Sequence, residues 1–282
     1  MSVYDIKTKT RNVLFNQKKI TPTFLFIALL TVLINYVGEI LGGFIPFAPI
    51  ITMLIVLPLS HGGVVACLMV VNERGDEIDI QNVGLTGFKR FKELFFTYFI
   101  HSAFMVVLLI FWGLILLLMM KFLVDGSFLE MISAIVFNDV SNANAILSSL
   151  SDTMIIQNLS SIMWLIFIGI IMAIVIMFVY NLYFILTPYI LEKYKIYGIK
   201  AMSESARMMK GHKKTLFVLF LSYIGWIILL MIVATFIQII LPVSILATLL
   251  TEVVAVYLFY VQYQTSVTIL FEEIDLEDKN LL

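Results

Sequence analysis

The sequence predicts an all-α fold: a polytopic transmembrane helical bundle of about six spans, with both termini on the cytoplasmic side and an amphipathic connector helix along the inner surface. Three observations carry this. First, 61% of the residues are hydrophobic and 13% are charged, against about 45–50% and about 25% in soluble globular chains. A soluble interior of this size could not hide so much apolar surface. Second, the apolar residues fall into six stretches long enough for the roughly 20 residues that cross hydrocarbon as helix. Third, all of the 18 Lys and Arg residues except Lys121 fall on one side of the resulting topology, the side expected to be cytoplasmic.

Taken in order, the spans cover about 24–44, 50–71, 94–120, 162–189, 216–241 and 245–271. The polar leader from Met1 to Lys19 is too long and mixed for a cleavable signal, so span one is expected to remain as an anchor. Basic residues precede span one (Lys7, Lys9, Arg11, Lys18, Lys19) and fill the connectors 72–93 and 190–215. The segment 121–161 carries Asp125, Glu130, Asp139 and Asp152 with Asn/Ser runs, and reads as an external loop with one or two interfacial helices. A span there would invert the positive connector that follows. Asn158-Leu159-Ser160 matches a glycosylation pattern that means nothing in a bacterium. The last two spans meet in a tight hairpin around Pro242. The whole chain, 1–282, reads as one membrane domain, and its Ile-, Lys- and Asn-rich usage is that of a low-GC bacterium. The expected location is therefore the bacterial plasma membrane.

Between Ile196 and Gly211, Ile199, Met202, Ala206 and Met209 recur at helical spacing, with Lys200, Glu204, Arg207 and Lys210 largely opposite. Such a helix lies along the membrane, where each cation gains about 1 kcal/mol from anionic lipid. Lys200, Arg207, Lys210, Lys213 and Lys214 are the candidate inner-surface contacts, to anionic lipid or to a protein partner. In spans two–three and four–five alike, an inward span with a proline near its cytoplasmic end (Pro58, Pro188) is followed by a basic cluster feeding an aromatic-rich span, a weak sign of a parallel repeat.

Ionisable side chains inside hydrocarbon cost at least about 2.5–3.5 kcal/mol, so each raises a functional question. Four stand out: Glu39 and Glu252 near the outer ends of spans one and six, His61 in span two, and His101 in span three. If spans one and six touch, the glutamates form a pair able to share a proton or bind a cation; otherwise each reaches interfacial water. His61 with Pro58, Gly62 and Gly63 marks either a broken helix lining a substrate site or a close-packing point. His101 reads as a satisfied polar group. In span six, Glu252, Ala255, Phe259, Gln262 and Ser266 form one stripe expected to face other helices, with Asn35, Asn181 and Gln238 as further cross-helix bonds.

Enzyme signatures, phosphate-binding loops and paired-His zinc motifs are absent from the sequence. No cofactor, catalytic residue or metal ligand is therefore expected. No basic stripe with a base-reading module is present, so nucleic acid is not an expected partner. The single cysteine, Cys67, reads as an inert buried thiol.

One block is more specific. Ala201-Met202-Ser203-Glu204-Ser205-Ala206-Arg207-Met208-Met209-Lys210-Gly211-His212-Lys213, with Leu216-Phe217 and Leu221-Ser222-Tyr223-Ile224-Gly225-Trp226, resembles a bacterial membrane family catalogued as domain of unknown function 975. Arg74-Gly75-Asp76-Glu77-Ile78-Asp79 with Gly87-Phe88-Lys89-Arg90-Phe91, and the closing Leu270-Phe271-Glu272-Glu273, are similar to the same family. The resemblance implies a multi-span membrane protein and supplies no catalytic residues. The loop before span four is enlarged relative to that pattern. The first functional expectation is a non-enzymatic envelope accessory, regulatory or immunity-type factor, working with a protein partner or a second copy. The alternative is a small permease or transporter component.

Overall fold

The computed structural model describes residues 1–79, 83–241 and 243–280. The described structure is helical throughout, and six of its helical stretches are long and apolar enough to cross a membrane. The chain divides into two compact units, residues 1–101 with 182–282, and residues 102–181.

In the first unit, α1 (Val3–Asn16) opens with a capping box in which Ser2 and Asp5 satisfy each other's backbone amides. α2 (Ile20–Gly42) and α3 (Ala48–Val71) form an antiparallel pair. α3 is apolar on all sides, and residues 61–68 are all buried, as expected of a helix surrounded by others. One flank of it packs with Ile20, Phe24 and Ile27 of α2, and the other with Tyr189, Ile190 and Phe271. Short α4 (Thr86–Lys89) packs against α3 at Gly87. A Cβ at Gly87 would stand 2.0 Å from the Pro58 carbonyl oxygen, so only glycine allows this approach.

α5 (Phe91–Leu123) and α8 (Asp152–Phe184) each run 33 residues, about 50 Å of helix, well beyond the hydrocarbon thickness of about 30 Å. Residues 102–123 of α5 and 152–181 of α8 belong to the second unit, with α6 (Gly126–Val136) and α7 (Val140–Ser149). There Phe128, Met131 and Leu165 form a small core. Trp112 Nε1 donates to Gly169 O at 3.1 Å, and Asp125 N donates to Asn158 Oδ1 at 2.8 Å. Two short helices thus occupy the 121–161 segment, where interfacial helices are expected, while α8 starts ten residues earlier than the anticipated span. Asn158 is buried and committed to this packing.

After α8 the chain breaks at residues 185–186, and α9 (Thr187–Tyr194) restarts with Pro188 in its first turn, where a missing N–H costs nothing. α10 (Ile199–Met208) is the connector helix. The anticipated fifth span is two pieces, α11 (Lys213–Leu221) and α12 (Ile224–Ile240), interrupted at Ser222-Tyr223. The sixth is α13 (Ser244–Ala255), a π-helical turn (Val256–Tyr260) and α14 (Val261–Asn280). Pro242, the expected hairpin residue, lies outside the described residues.

α3 is continuous through Pro58, His61, Gly62 and Gly63, and a Cβ on Gly62 would lie 2.8 Å from Val83 O; of the two alternatives open for this stretch, this geometry fits close packing. Two expectations are corrected. The span-six stripe is split, because a π turn winds more residues per turn and shifts the phase of all that follows. Asn181 turns back to Met177 O of its own helix rather than across to a neighbour.

The charged segments of the first unit converge on the acidic end of α14. Lys9 of α1 pairs with Glu273, Lys193 of α9 with Glu272 and Asp275, Arg207 of α10 with Asp278 at 2.6 Å, and His212 with Glu277 at 3.6 Å. Asp275 is buried, accepting also from Lys279 at 2.8 Å and from the Tyr194 hydroxyl. Removing a buried acid strands its donors. Asp275→Ala is therefore expected to cost about 3 kcal/mol, and Asp278→Ala, at an exposed pair, about 1 kcal/mol or less. Thermal unfolding in detergent would check the order, with Asp275→Ala melting well below Asp278→Ala.

Candidate functional site

α2, α3 and the α13–π segment enclose a cavity of about 540 Å³. Its walls follow from helical spacing. Thr31, Asn35 and Glu39 recur every fourth residue on α2, and Ser244, Thr248 and Glu252 every fourth residue on α13, so each triple forms one face. The two polar faces line one space, and Ser60 of α3 and Tyr260 of the π turn add hydroxyls. Phe24 meets the Tyr260 ring edge-on at 5.6 Å. From Phe24 to Glu39 the lining follows about 22 Å of α2. The cavity therefore runs along most of a candidate span.

Glu39 and Glu252 thus line one cavity, with Glu39 exposed and Glu252 half-buried. Neither carboxylate has an ion pair or hydrogen bond with a described residue. Among the described residues no Lys, Arg or His lines the cavity. Its electrostatic character is acidic and uncompensated, with hydroxyls and an amide supplying dipoles alongside.

His61 does not reach this cavity, although its neighbours Ser60 and Gly63 do. Its side chain is fully buried and its Nε2 donates to Glu192 Oε2 at 3.2 Å, leaving Nδ1 without a partner among the described residues. Glu192 also accepts from Arg90 Nη1 at 2.8 Å and Lys195 Nζ at 2.6 Å. Arg90 further contacts Glu93 and donates to Leu191 O at 3.1 Å. This network ties α3, α9 and the start of α5 together. Glu192 and Lys195 also line a second cavity of about 530 Å³, whose cations Arg74, Lys193 and Lys195 are balanced by Glu77, Glu192 and Glu272. His101 is remote from both cavities, half-buried and edge-on to Phe184 at 6.1 Å. Among the described residues no group of three or more His, Cys, Asp or Glu is placed to hold a metal ion.

The connector cations separate into two kinds. Arg207 is held in a bidentate pair with Asp278 and another with Glu204; these bonds, Asp278 first, push its guanidinium pKa further up and keep it charged. Lys213 lies 3.2 Å from the centre of the Tyr183 ring. Both are engaged within the protein. Lys200, Lys210 and Lys214 are exposed and have no partner among the described residues. The buried face of α10 is Ala201, Met202, Ser205 and Met208, and Ile199, expected on it, is 60% exposed. Ser205 Oγ donates to Tyr183 O at 2.9 Å. α10 therefore docks on α9 and α14 rather than on lipid alone.

Sequence reasoning missed Glu192 as the partner of His61, and missed the two i, i+4, i+8 polar faces. The faces were readable in the spacing; the pairing of residues 131 positions apart was not. Because Glu192 holds three donors and His61 only one contact, Glu192→Ala is expected to destabilise by about 2–3 kcal/mol and His61→Ala by less. Equal losses in thermal unfolding would contradict the network drawn here.

Cys67 is buried, with Sγ 3.8 Å from Thr265 Oγ1, as its apolar setting implied. No curated protein and no solved structure matches the chain. The family described as "Protein of unknown function (DUF975)" matches residues 1–276, and the chain belongs to that family.

Proposed function

We propose that this protein is a multi-pass membrane permease, or the membrane component of a transporter, that takes a small cationic solute into the cavity between α2, α3 and α13. The observation that carries the reading is the pair of uncompensated carboxylates, Glu39 and Glu252, on facing polar stripes within candidate spans. A carboxyl group in a low-dielectric setting is satisfied either by a proton or by a counter-charge. With no cationic side chain lining the cavity, a solute cation is the available one. The hydroxyls of Thr31, Ser60, Thr248 and Tyr260 and the Asn35 amide would replace part of its hydration shell. A π turn at Tyr260 fits the frequent use of such turns at functional positions. Neither this reading nor the next requires covalent chemistry.

The orientation we propose places residues 1–19, the two basic connectors and the end of α14 in the cytoplasm of a bacterial cell, because all the Lys and Arg residues but Lys121 belong to those segments. A second reading, an accessory or immunity-type factor acting through a partner, is favoured by the exposed, unpaired Lys200, Lys210 and Lys214. Lys200→Glu/Lys210→Glu/Lys214→Glu would then abolish a stoichiometric co-purifying partner while leaving solute binding intact.

The primary reading is tested with alkali cations and small organic amines, first by thermal stabilisation in detergent and then by uptake into proteoliposomes. At least one cation class is expected to raise the melting temperature of the native protein and to enter vesicles. Glu39→Gln and Glu252→Gln should each lose that response without lowering basal stability, since neither carboxylate has a hydrogen bond or ion pair among the described residues. If no cation distinguishes the native protein from the double variant in either assay, the permease reading fails.

A further inference from the structure

A separate groove of about 420 Å³ lies where α1 crosses the start of α12 and α14. Lys7 and Arg11, one turn apart on α1, line it with Tyr223, Trp226, Gln262 and Phe15. Among the described residues no acidic one lines it. That separates it from the 530 Å³ cavity, where each cation stands among carboxylates.

The charge on α1 is unevenly answered. Lys9 is paired with Glu273. Arg11 is exposed and has no partner among the described residues. Lys7 makes only a long bond to Ser222 O, 3.4 Å, and sits 4.7 Å from the Tyr223 ring centre. Two positive charges therefore face the groove without a counter-ion. Gln262 is exposed in a candidate span and its amide has no partner among the described residues, an arrangement that is costly in lipid unless something polar meets it.

The surroundings are those of a membrane interface. Trp226, 41% exposed in the first turn of α12, has the amphipathic ring that prefers headgroup depth. On α1, Tyr4, Arg11 and Phe15 share one face by helical spacing, with Tyr4 78% and Phe15 83% exposed. The opposite face is anchored by buried Ile6 and by Thr10, whose Oγ1 lies 2.9 Å from Ser266 Oγ. A helix held to the protein on one side and presenting aromatics and cations on the other suits the headgroup layer.

We infer that the groove formed by Lys7, Arg11, Trp226 and Gln262 is a specific site for one anionic phospholipid. Its phosphodiester is bound by the two cations, the Gln262 amide donates to a headgroup oxygen, and the acyl chains run beside Phe15 and Trp226. Basic pockets between membrane helices favour such headgroups. The exposed apolar residues around the cations select a lipid over free phosphate, which would leave them in water.

Native mass spectrometry of the intact protein released from nanodiscs of equal phosphatidylglycerol and phosphatidylcholine tests this. The native protein should retain one phosphatidylglycerol in preference to phosphatidylcholine. Arg11→Gln, which breaks no bond within the described protein, and Lys7→Gln/Arg11→Gln should lower retention, the double variant by on the order of tenfold. Lys18→Gln, an exposed cation outside the groove, should leave it unchanged, and millimolar inorganic phosphate should not displace the lipid. Equal retention of the two lipids, no loss in the double variant, an equal loss in Lys18→Gln, or displacement by phosphate would each overturn the assignment.

Discussion

The constraint on which the rest of the structure depends is the acidic end of α14. A helix that leaves an apolar span and immediately carries Glu272, Glu273, Asp275, Glu277 and Asp278 offers anionic contacts on several of its faces. Lys9, Lys193, Arg207 and His212 reach it from four different segments. Each exposed pair alone is worth little. Around buried Asp275, where Lys193, Lys279 and Tyr194 converge, the geometry is enforced, because any other placement would leave a charge or hydroxyl unmet. The consequence is topological: segments that pair with one helix end must lie at one end of the bundle. Positive segments far apart in the chain are thereby gathered on a single layer.

With that layer fixed, the apolar parts follow. α3, apolar apart from Thr52, Ser60 and His61, takes the centre, and Gly87, Gly62 and Gly63 let its neighbours close on it. Buried hydroxyls then join the helices where lipid could not satisfy them. Ser266 meets both Thr10 and Tyr223, each at 2.9 Å, and the Tyr189 hydroxyl donates to Gln264. The polar residues not used this way are the informative remainder. Thr31, Asn35, Glu39, Ser244, Thr248 and Glu252 face a cavity, and Lys7, Arg11 and Gln262 face a groove. Structural bonding accounts for one set of polar groups in the spans, and ligand chemistry is the account offered for the other.

Six long apolar helices, the connector helix and the two short helices after span three were legible because length, periodicity and turn residues are local properties. Breaks within spans were not. Ser222-Tyr223 looks like any interior of an apolar run, and the interruption there coincides with a tertiary bond, between the Tyr223 hydroxyl and Ser266 Oγ at 2.9 Å. The π turn at Val256–Tyr260 misled the reading of span six, since a fixed period carried Glu252 onto the same stripe as Gln262 and Ser266. They serve three different surroundings: the cavity, the groove and the buried seam. That Glu39 and Glu252 share a cavity depended on whether spans one and six touch, which no sequence period reveals; α2 and α13 do touch. Arg207 shows the same limit: its partner Asp278 lies 71 residues away, a pairing that no local period reveals.

The most direct measurement is membrane-impermeant maleimide labelling of single cysteines placed at Lys18, Asp76, Lys210 and Phe44 in a Cys67→Ala background, in intact cells and after permeabilisation. The first three belong to the basic layer and Phe44 to the opposite connection between α2 and α3. Labelling of Phe44→Cys in intact cells, with the other three reacting only after permeabilisation, is the predicted pattern. Labelling of any one of the three basic-layer positions from outside, while another stays protected, would contradict the single charged layer on which the whole arrangement rests.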